Sequence, residues 1–494
     1  GKGKLWYWSK EKQQSIWYKS IQIIEQNEIG SWVNVVQKIK DELKGSSTLN
    51  NTTSLENETN SLIQLYNQGS YYDVIENGKL ALAEFKNSYA LYNIIGSAYT
   101  RLKDHKLAEQ YYKNSIKYNR KYYQAFSNLG YSYWELGQLT LAEKHCLKAV
   151  KMNPNYAIAY NTLGNIYQEK SKNFKAIKNF EKAINIDKNY DKAKFNLSTL
   201  HLFLGNFKQA WLLFEDRFVA NNVNHLVSEL SGCRWHLNMS ISVTIWPEQG
   251  IGDFILYSRF FRDLIKATDN ITALIDKKLK PIYERTFPDI NFVTELNTAS
   301  IDYHAPIGDL AKFYVNSFQD VKARSDVYLS VDKLRSEQIK QSLPKGKKIC
   351  GISWISKNDN IGKNKSMTLE DMKDLLLLPD TIFIDLQYTD TSEERADFKK
   401  KYGVDIIKLD EIDNFNDIDG LASLIDACDR VVSVSNTTAH IAGAIGKETY
   451  LMLPKGKGKL WYWSKEKQQS IWYKSIQIIE QNEIGSWVNV VQKI

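Results

Sequence analysis

YALYNIIGSAYTRLKDHKLAEQYYKNSIKYNRKY (89–122), YQAFSNLGYSYWELGQLTLAEKHCLKAVKMNPNY (123–156) and AIAYNTLGNIYQEKSKNFKAIKNFEKAINIDKNY (157–190) stand in register at a period of 34 residues. Gly96, Gly130 and Gly164 share one column, with Ser198 in the next slot; Ala108, Ala142, Ala176 and Ala210 share another. Ile95, Leu129, Leu163 and Leu197 form a third column, and Tyr99, Tyr133, Tyr167 and His201 a fourth. Large side chains recur at Tyr112, Phe180 and Phe214, with Cys146 in that slot of the second repeat. Several columns on one period signal a repeat architecture. Two helices per repeat satisfy the pattern. Gly in the first and Ala in the second let the helices touch, and the large residues fill the space between stacked pairs. Such pairs stack into a solenoid whose concave face receives extended peptides or partner domains. Asn128 and Asn196 precede the column leucine by one residue and are candidates to hydrogen-bond a peptide backbone. A solvated helix face is the other reading.

Working outward, the 494 residues predict roughly three domains. With 43% hydrophobic and 25% charged residues, the composition is that of a globular chain. The net charge of +8 suits anionic partners, but the basic residues are scattered and form no dense arginine tract. Cys146, Cys233, Cys350 and Cys428 are far apart and form no CxxC pair, which argues against a metal or disulfide framework and fits the cytoplasm. No apolar run approaches a membrane span. Residues 1–39 recur identically as residues 456–494. Only one copy can fill a given site, and the C-terminal copy is tethered beside the apolar run Thr449 to Pro454. We therefore expect residues 456–494 to pack into the C-terminal part, as a Trp-rich turn and a final helix starting near Ser486. Residues 1–50 are then an orphan duplicate plus linker. The polar run from Lys44 to Asn60 reads as that linker.

After Asn222 the period changes. Strands are predicted at Ile241–Ile245, Ile271–Ile275, Asn291–Thr294, Tyr303–Ile307, Ile349–Trp354, Ile382–Leu386, Ile406–Leu409, Val431–Val434 and Thr449–Leu453. Helices are predicted at Asp253–Thr268, Lys277–Thr286, Thr368–Leu378, Ser392–Tyr402, Ile418–Cys428 and Thr437–Ile445. This alternation means parallel sheets with crossover helices, in two halves with a cleft between them. The divisions are 55–220 for the repeats, 221–343 for the first half and 344–494 for the second.

Three segments can carry chemistry. In Glu248-Gln249-Gly250-Ile251-Gly252-Asp253, between a strand and a helix, the glycines allow a backbone to pass close to a ligand. Asp253 stands where ligands meet such sheets; an N-cap role is the equal alternative. In Ser435-Asn436-Thr437-Thr438-Ala439-His440, a helix start offers free N–H groups and side-chain donors to a phosphate, with His440 one turn inside. The other reading is a capped helix with a core histidine. The loop Ser356 to Ser366 carries Lys357, Lys363 and Lys365, and reads as a phosphate loop or a solvated basic loop.

Together these segments resemble the heptosyltransferase-like family of inverting, metal-independent glycosyltransferases of the two-Rossmann (GT-B) class. A bacterial group in which tetratricopeptide repeats precede such a domain is more similar still. The resemblance runs through Trp211, Glu215 and Arg217, Trp235, the EQGIGD turn, Asp302-x-His304-x-Pro306 and Val327-Tyr328-Leu329. It continues through Gly351–Trp354, Leu386-Gln387-Tyr388, Val434–Gly446 and Leu460-Trp461-Tyr462-Trp463. It implies an α + α/β fold, a tetratricopeptide-repeat solenoid followed by a GT-B domain. It implies Asp253 as catalytic base and Lys365, Ser435, Asn436, Thr437, Thr438 and His440 as the donor-phosphate site. Gln249, Gly250, Gly252, Trp354 and Gln387 line the nearby donor loops. Ser435-Asn436 replaces the family's Asp-Thr and removes its carboxylate, which leaves the identity of the donor sugar open, whereas a Ser-Asn pair still offers donors to phosphate oxygens. The expected function is transfer from a nucleotide-diphosphate sugar to a protein or glycan acceptor recruited by the repeats. No metal, cofactor, membrane span or nucleic acid is expected. The alternative is a repeat scaffold with a catalytically inactive nucleotide-binding module.

Overall fold

The computed structural model describes residues 10–11, 14–15, 50–220, 230, 232–236, 242–248, 250–297, 301–358 and 361–494. The chain forms two compact units, Gly1–Pro154 and Asn155–Ile494. In the first, strands β1 (Lys10–Glu11) and β2 (Gln14–Ser15) pair antiparallel. The rest of the first copy of the duplicated segment lies outside the described residues. Helices follow at Asn50–Asn67, Tyr71–Glu84, Tyr89–Arg101, His105–Tyr118, Tyr123–Glu135 and Leu139–Met152. The linker expected up to Asn60 is thus helical from Asn50. Leu62 is buried, and Leu55, Leu65 and Tyr66 pack against the same core, so one apolar face overrides a polar composition.

The glycine column does what its period predicts, with one difference. A Cβ added to Gly96 would stand 2.8 Å from the Tyr112 ring, and one on Gly130 would stand 2.4 Å from Cys146 Sγ. The large residue therefore fills the notch within its own helix pair rather than between pairs. The asparagines are also engaged: Asn128 donates to Asn93 Oδ1 at 3.0 Å. In the second unit Asn196 donates to Asn161 Oδ1 at 2.9 Å. These side chains tie successive repeats together, which corrects their reading as idle donors awaiting a peptide.

A further column is invisible to residue type. Gly69, Lys103, Gly137, Ser171 and Gly205, again 34 apart, all have φ between 55° and 82°. Left-handed backbone costs a side-chain-bearing residue about 1 kcal/mol. Ser171→Gly and Lys103→Gly are each expected to stabilise their unit by about 0.5–1 kcal/mol, read by urea unfolding.

The second unit opens with helices Ala157–Glu169, Asn173–Ile186, Asp191–Leu204 and Phe207–Leu213, and a short turn of helix Arg217–Ala220. Two sheets follow. Strands β3 (Cys233–Arg234), β4 (Val243–Trp246), β5 (Ile271–Leu274), β6 (Ile290–Val293) and β7 (Tyr303–Pro306) form an all-parallel sheet in the order β3-β7-β4-β5-β6. The second comprises β8 (Lys348–Ser353), β9 (Thr381–Asp385), β10 (Ile406–Ile407), β11 (Arg430–Val434), β12 (Thr449–Leu453), β13 (Lys465–Glu466), β14 (Gln469–Ser470) and β15 (Ile476–Glu480). Its order is β10-β9-β8-β11-β12-β15-β14-β13, parallel from β10 to β15 and closed by an antiparallel hairpin. Residues 348–353 are buried almost throughout, as a strand covered on both faces must be.

Residues 456–494 supply β13 to β15 and the fully buried Trp463, Trp472 and Tyr473. Strand β15 was not anticipated, and the final helix shortens to Val488–Val491. The helix expected over Asp253–Thr268 splits into Ile251–Ser258 and Phe261–Leu264, where the Arg259 side chain turns back onto the Leu256 carbonyl. Helix Ile251–Ser258 packs against helix Thr437–Ala444. The Tyr328 and Leu329 amides both donate to Ala444 O, at 3.0 and 3.1 Å. These contacts bring the leading turns of the two sheets together.

Candidate functional site

The first turn leaves β4 and enters helix Ile251–Ser258 through Gly250, whose extended backbone occupies the N-cap. Asp253 therefore sits in the first turn of the helix and is not its cap, which removes the alternative reading of this residue. Gly252 lets its backbone pass close to the His440 side chain. A Cβ there would stand 3.0 Å from His440 Cδ2 and 3.5 Å from Nε2. Gly250 has open space around it. Gln249 lies outside the described residues.

Asp253 is half-buried, and its carboxyl is pushed up to about 7. Desolvation is the main cause and the nearby Glu248 adds to it; a hydrogen bond from Tyr462 and the charge of Lys365 pull the other way. Lys365 closes the short helix Gly362–Lys365 and is buried, whereas Lys357 and Lys363 are exposed. Burial pushes its ammonium down to about 8, against the pull of Asp253. Its stem packs on Gly458, where a Cβ would approach Lys365 Cγ at 3.0 Å. Titratable groups perturbed by desolvation and by one another's charge make this place a candidate functional site.

His440 is expected among the donors to a phosphate. It is buried, and desolvation, with Arg259 and Lys365 nearby, pushes it down to about 3. It is neutral at physiological pH and offers an anion no charge. Its Nδ1 is 2.9 Å from the Tyr473 hydroxyl. Its ring lies 4.8 Å from that of Trp463 and 5.2 Å from that of Tyr462.

The turn after β11 is more committed than its sequence suggested. Ser435 Oγ accepts from the Trp463 indole at 2.7 Å. Asn436 caps its helix by accepting from Ala439 N, and donates to Ser353 Oγ at 2.7 Å and to Ile355 O at 3.2 Å. Its amide is thus spent on structure. Thr437 is half-buried at the helix start, and the buried Thr438 hydroxyl has no hydrogen-bond partner among the described residues. Gln387 is likewise occupied. Its oxygen accepts from Ser353 Oγ, Trp354 N and Ile355 N at 3.0–3.1 Å, and its nitrogen donates to Ile355 O. It latches the loop after β8 and is not free to contact a nucleoside. Trp354 is wholly buried and donates to Glu394 at 2.9 Å, so it belongs to the core of the second sheet and lines no cleft.

Several positioning side chains carried no residue-type signal. Arg217 is wholly buried between the rings of Phe214 and Phe218, 4.0 and 4.1 Å from their centroids. It pairs with both oxygens of Glu248 and with Asp309 at 2.7 Å. Burial opposes its charge, and the two carboxylates more than offset that. Arg234 grips the other Asp309 oxygen, and the Gly308 amide donates to Glu248 at 2.8 Å. The last helical turn of the repeats is thereby bolted to the turn that carries Asp253. Tyr462, Trp463 and Tyr473 of the closing segment contact Asp253, Ser435 and His440 in turn. Arg217 and Leu460–Trp463 stand in the quoted resemblance, but nothing local showed what they touch. Among the described residues, no group of three His, Cys, Asp or Glu side chains could hold a metal ion, and no helix is long and apolar enough to cross a membrane.

Comparison with known proteins agrees with the repeats. Tetratricopeptide-repeat family signatures match residues 89–122, 123–156 and 145–178. The helical repeats are of the tetratricopeptide type. Protein FlbA of Caulobacter vibrioides is 26% identical over 320 residues, 60% of this chain and 52% of FlbA. The chain thus spans about half the length of the curated relative it matches. Among solved structures, a thermophilic tetratricopeptide-repeat protein of Thermus thermophilus is 18% identical, over 35% of this chain and 95% of that one, with TM-score 0.32. PilF of Pseudomonas aeruginosa is 15% identical, over 36% and 91%, with TM-score 0.31.

Proposed function

We propose that this chain is a metal-independent, inverting glycosyltransferase of GT-B type. It takes a nucleotide-diphosphate sugar, and its repeats recruit a protein or glycan acceptor. The observation that carries this reading is the packing of helix Ile251–Ser258, which bears Asp253, against helix Thr437–Ala444, with Lys365 near enough for its charge to act on the Asp253 carboxyl. Transfer needs a base for the acceptor hydroxyl and positive charge for the departing diphosphate. Asp253 supplies the first, and Lys365 with the helix start at Thr437 and Thr438 supplies the second. Tetratricopeptide repeats are a partner-binding architecture, which favours a protein partner.

The test is release of nucleoside diphosphate from a panel of nucleotide sugars by the full chain. Turnover that disappears in Asp253→Asn supports transfer. Removing residues 1–154 should spare donor hydrolysis and remove transfer to the acceptor. Binding of a nucleotide sugar without any turnover favours the second reading, a repeat scaffold with an inactive nucleotide-binding module. One observation favours that reading: the Ser435 and Asn436 side chains are already engaged within the protein.

Lys365→Ala is expected to weaken inorganic pyrophosphate binding by about 1.5–3 kcal/mol in calorimetry, the worth of a charge-assisted contact. In the native chain the affinity should fall as pH rises through about 8, where Lys365 loses its proton. His440→Ala should cost less, because the ring it removes is neutral.

A further inference from the structure

We propose that His304 is the positioning residue of the Glu248–Asp253 turn. Its uncharged ring holds Trp246, at the strand end from which that turn departs, and releases it on taking up a second proton. The decisive bond is that of the Trp246 indole, whose Nε1–H donates to His304 Nδ1 at 3.1 Å in a buried place. An indole nitrogen can only donate, so Nδ1 accepts and carries no hydrogen. The neutral ring then keeps its hydrogen on Nε2, and the ring also bonds the Gly232 backbone. Doubly protonated His304 has a donor at both nitrogens. It would set one N–H against another and leave the buried indole without its acceptor.

The turn is tied to this bond from both strands. Trp246 ends β4 two residues before Glu248, and it pairs with Pro306 of β7. His304 lies on β7, four residues before Gly308, whose amide donates to Glu248 at 2.8 Å. The Trp246 ring stands 6.0 Å from that of Phe218, which covers the Arg217 guanidinium bonded to Glu248. Glu248 in turn acts on the Asp253 carboxyl. The charged groups facing His304 are Arg234 on β3 and Asp309 in the first turn of helix Ile307–Tyr314. Burial and Arg234 hold the ring below its usual 6.5, against the pull of the Gly232 bond and Asp309. The stability that the neutral ring contributes is therefore complete above about pH 6.5 and is lost as pH falls through the lower folded value. That the turn is catalytic rests on the transferase reading; the hold on Trp246 does not.

The test follows two signals in the full chain and needs no substrate. The Trp246 indole is identified among 13 tryptophans by its loss in Trp246→Phe, and the His304 ring among seven histidines by its loss in His304→Asn. In the native chain, 15N spectra should show His304 Nδ1 without a proton at neutral pH. The Trp246 N–H signal should move with the His304 titration as the solution is acidified. His304→Asn keeps an oxygen on Cγ where Nδ1 stood, and there the Trp246 signal should stay bonded and indifferent to acid. His304→Leu removes the acceptor. The Asp253 carboxyl, followed by 13C, should then titrate below its native midpoint near 7, since the Glu248 charge that raises it is no longer held in place. His304→Asn should leave that midpoint where it was. A proton on Nδ1 in the neutral native chain would overturn the proposal, even if both variants failed to fold. So would a Trp246 signal that ignores the His304 titration, or an unchanged Asp253 midpoint in folded His304→Leu. The expected results in a protein that turns over no nucleotide sugar would leave the proposal standing and count against the transferase reading alone.

Discussion

Asp253→Asn is expected to lower turnover by a factor of about 100 to 10,000 while making the folded protein more stable above neutral pH. The first effect is that of removing a general base. The second follows from burial. A carboxyl raised in the folded state from 3.8 to about 7 binds its proton more tightly when folded than when unfolded. Its contribution to stability is fully present below about pH 4 and is lost as pH rises through about 7. Ionising it in place costs up to about 4 kcal/mol, and partial contact with solvent reduces this to roughly 2–4 kcal/mol. The asparagine keeps an oxygen for the Tyr462 hydroxyl and never ionises. Urea unfolding at pH 4 and at pH 8 should show little change at the lower value and the gain at the higher. A variant destabilised at both would show that Asp253 is a structural carboxylate.

Arg217→Met should destabilise the second unit by about 3–5 kcal/mol, the usual result of leaving a buried ion pair half-removed. Glu248 and Asp309 would lose the cation that both share, in a place water does not reach. Arg217→Lys should recover only part of the loss, since an ammonium cannot reproduce a planar fork bonded on two sides. The double variant Arg217→Met/Glu248→Gln should be less destabilised than the sum of its parts, because the two residues interact directly. Glu248 precedes Asp253 in the same turn and helps to raise its carboxyl, so the native network also tunes the proposed base. Full stability in Arg217→Met would mean that the repeat end is not fastened through this cluster.

The sequence by itself determined what depends on neighbours along the chain. A 34-residue period marked helix pairs, because small and large residues must recur where each pair touches, and Gly96 and Gly130 do meet Tyr112 and Cys146. Strand–helix alternation marked parallel sheets, because crossover connections need that order. The turns at Gly250–Asp253 and Ser435–His440 were legible from their position between a strand and a helix. Tertiary structure alone decided what those turns hold. Asp253 and Lys365 acquire near-neutral protonation because elements distant in sequence close around them and exclude water. His440 is neutral for the same reason. Gln387, Trp354 and Asn436 looked available, yet their polar atoms are consumed by strands and loops that only folding brings near. The tyrosines that hold the site lie in a closing segment whose partners are distant in sequence, and desolvation, unlike periodicity, is a property of the packed whole.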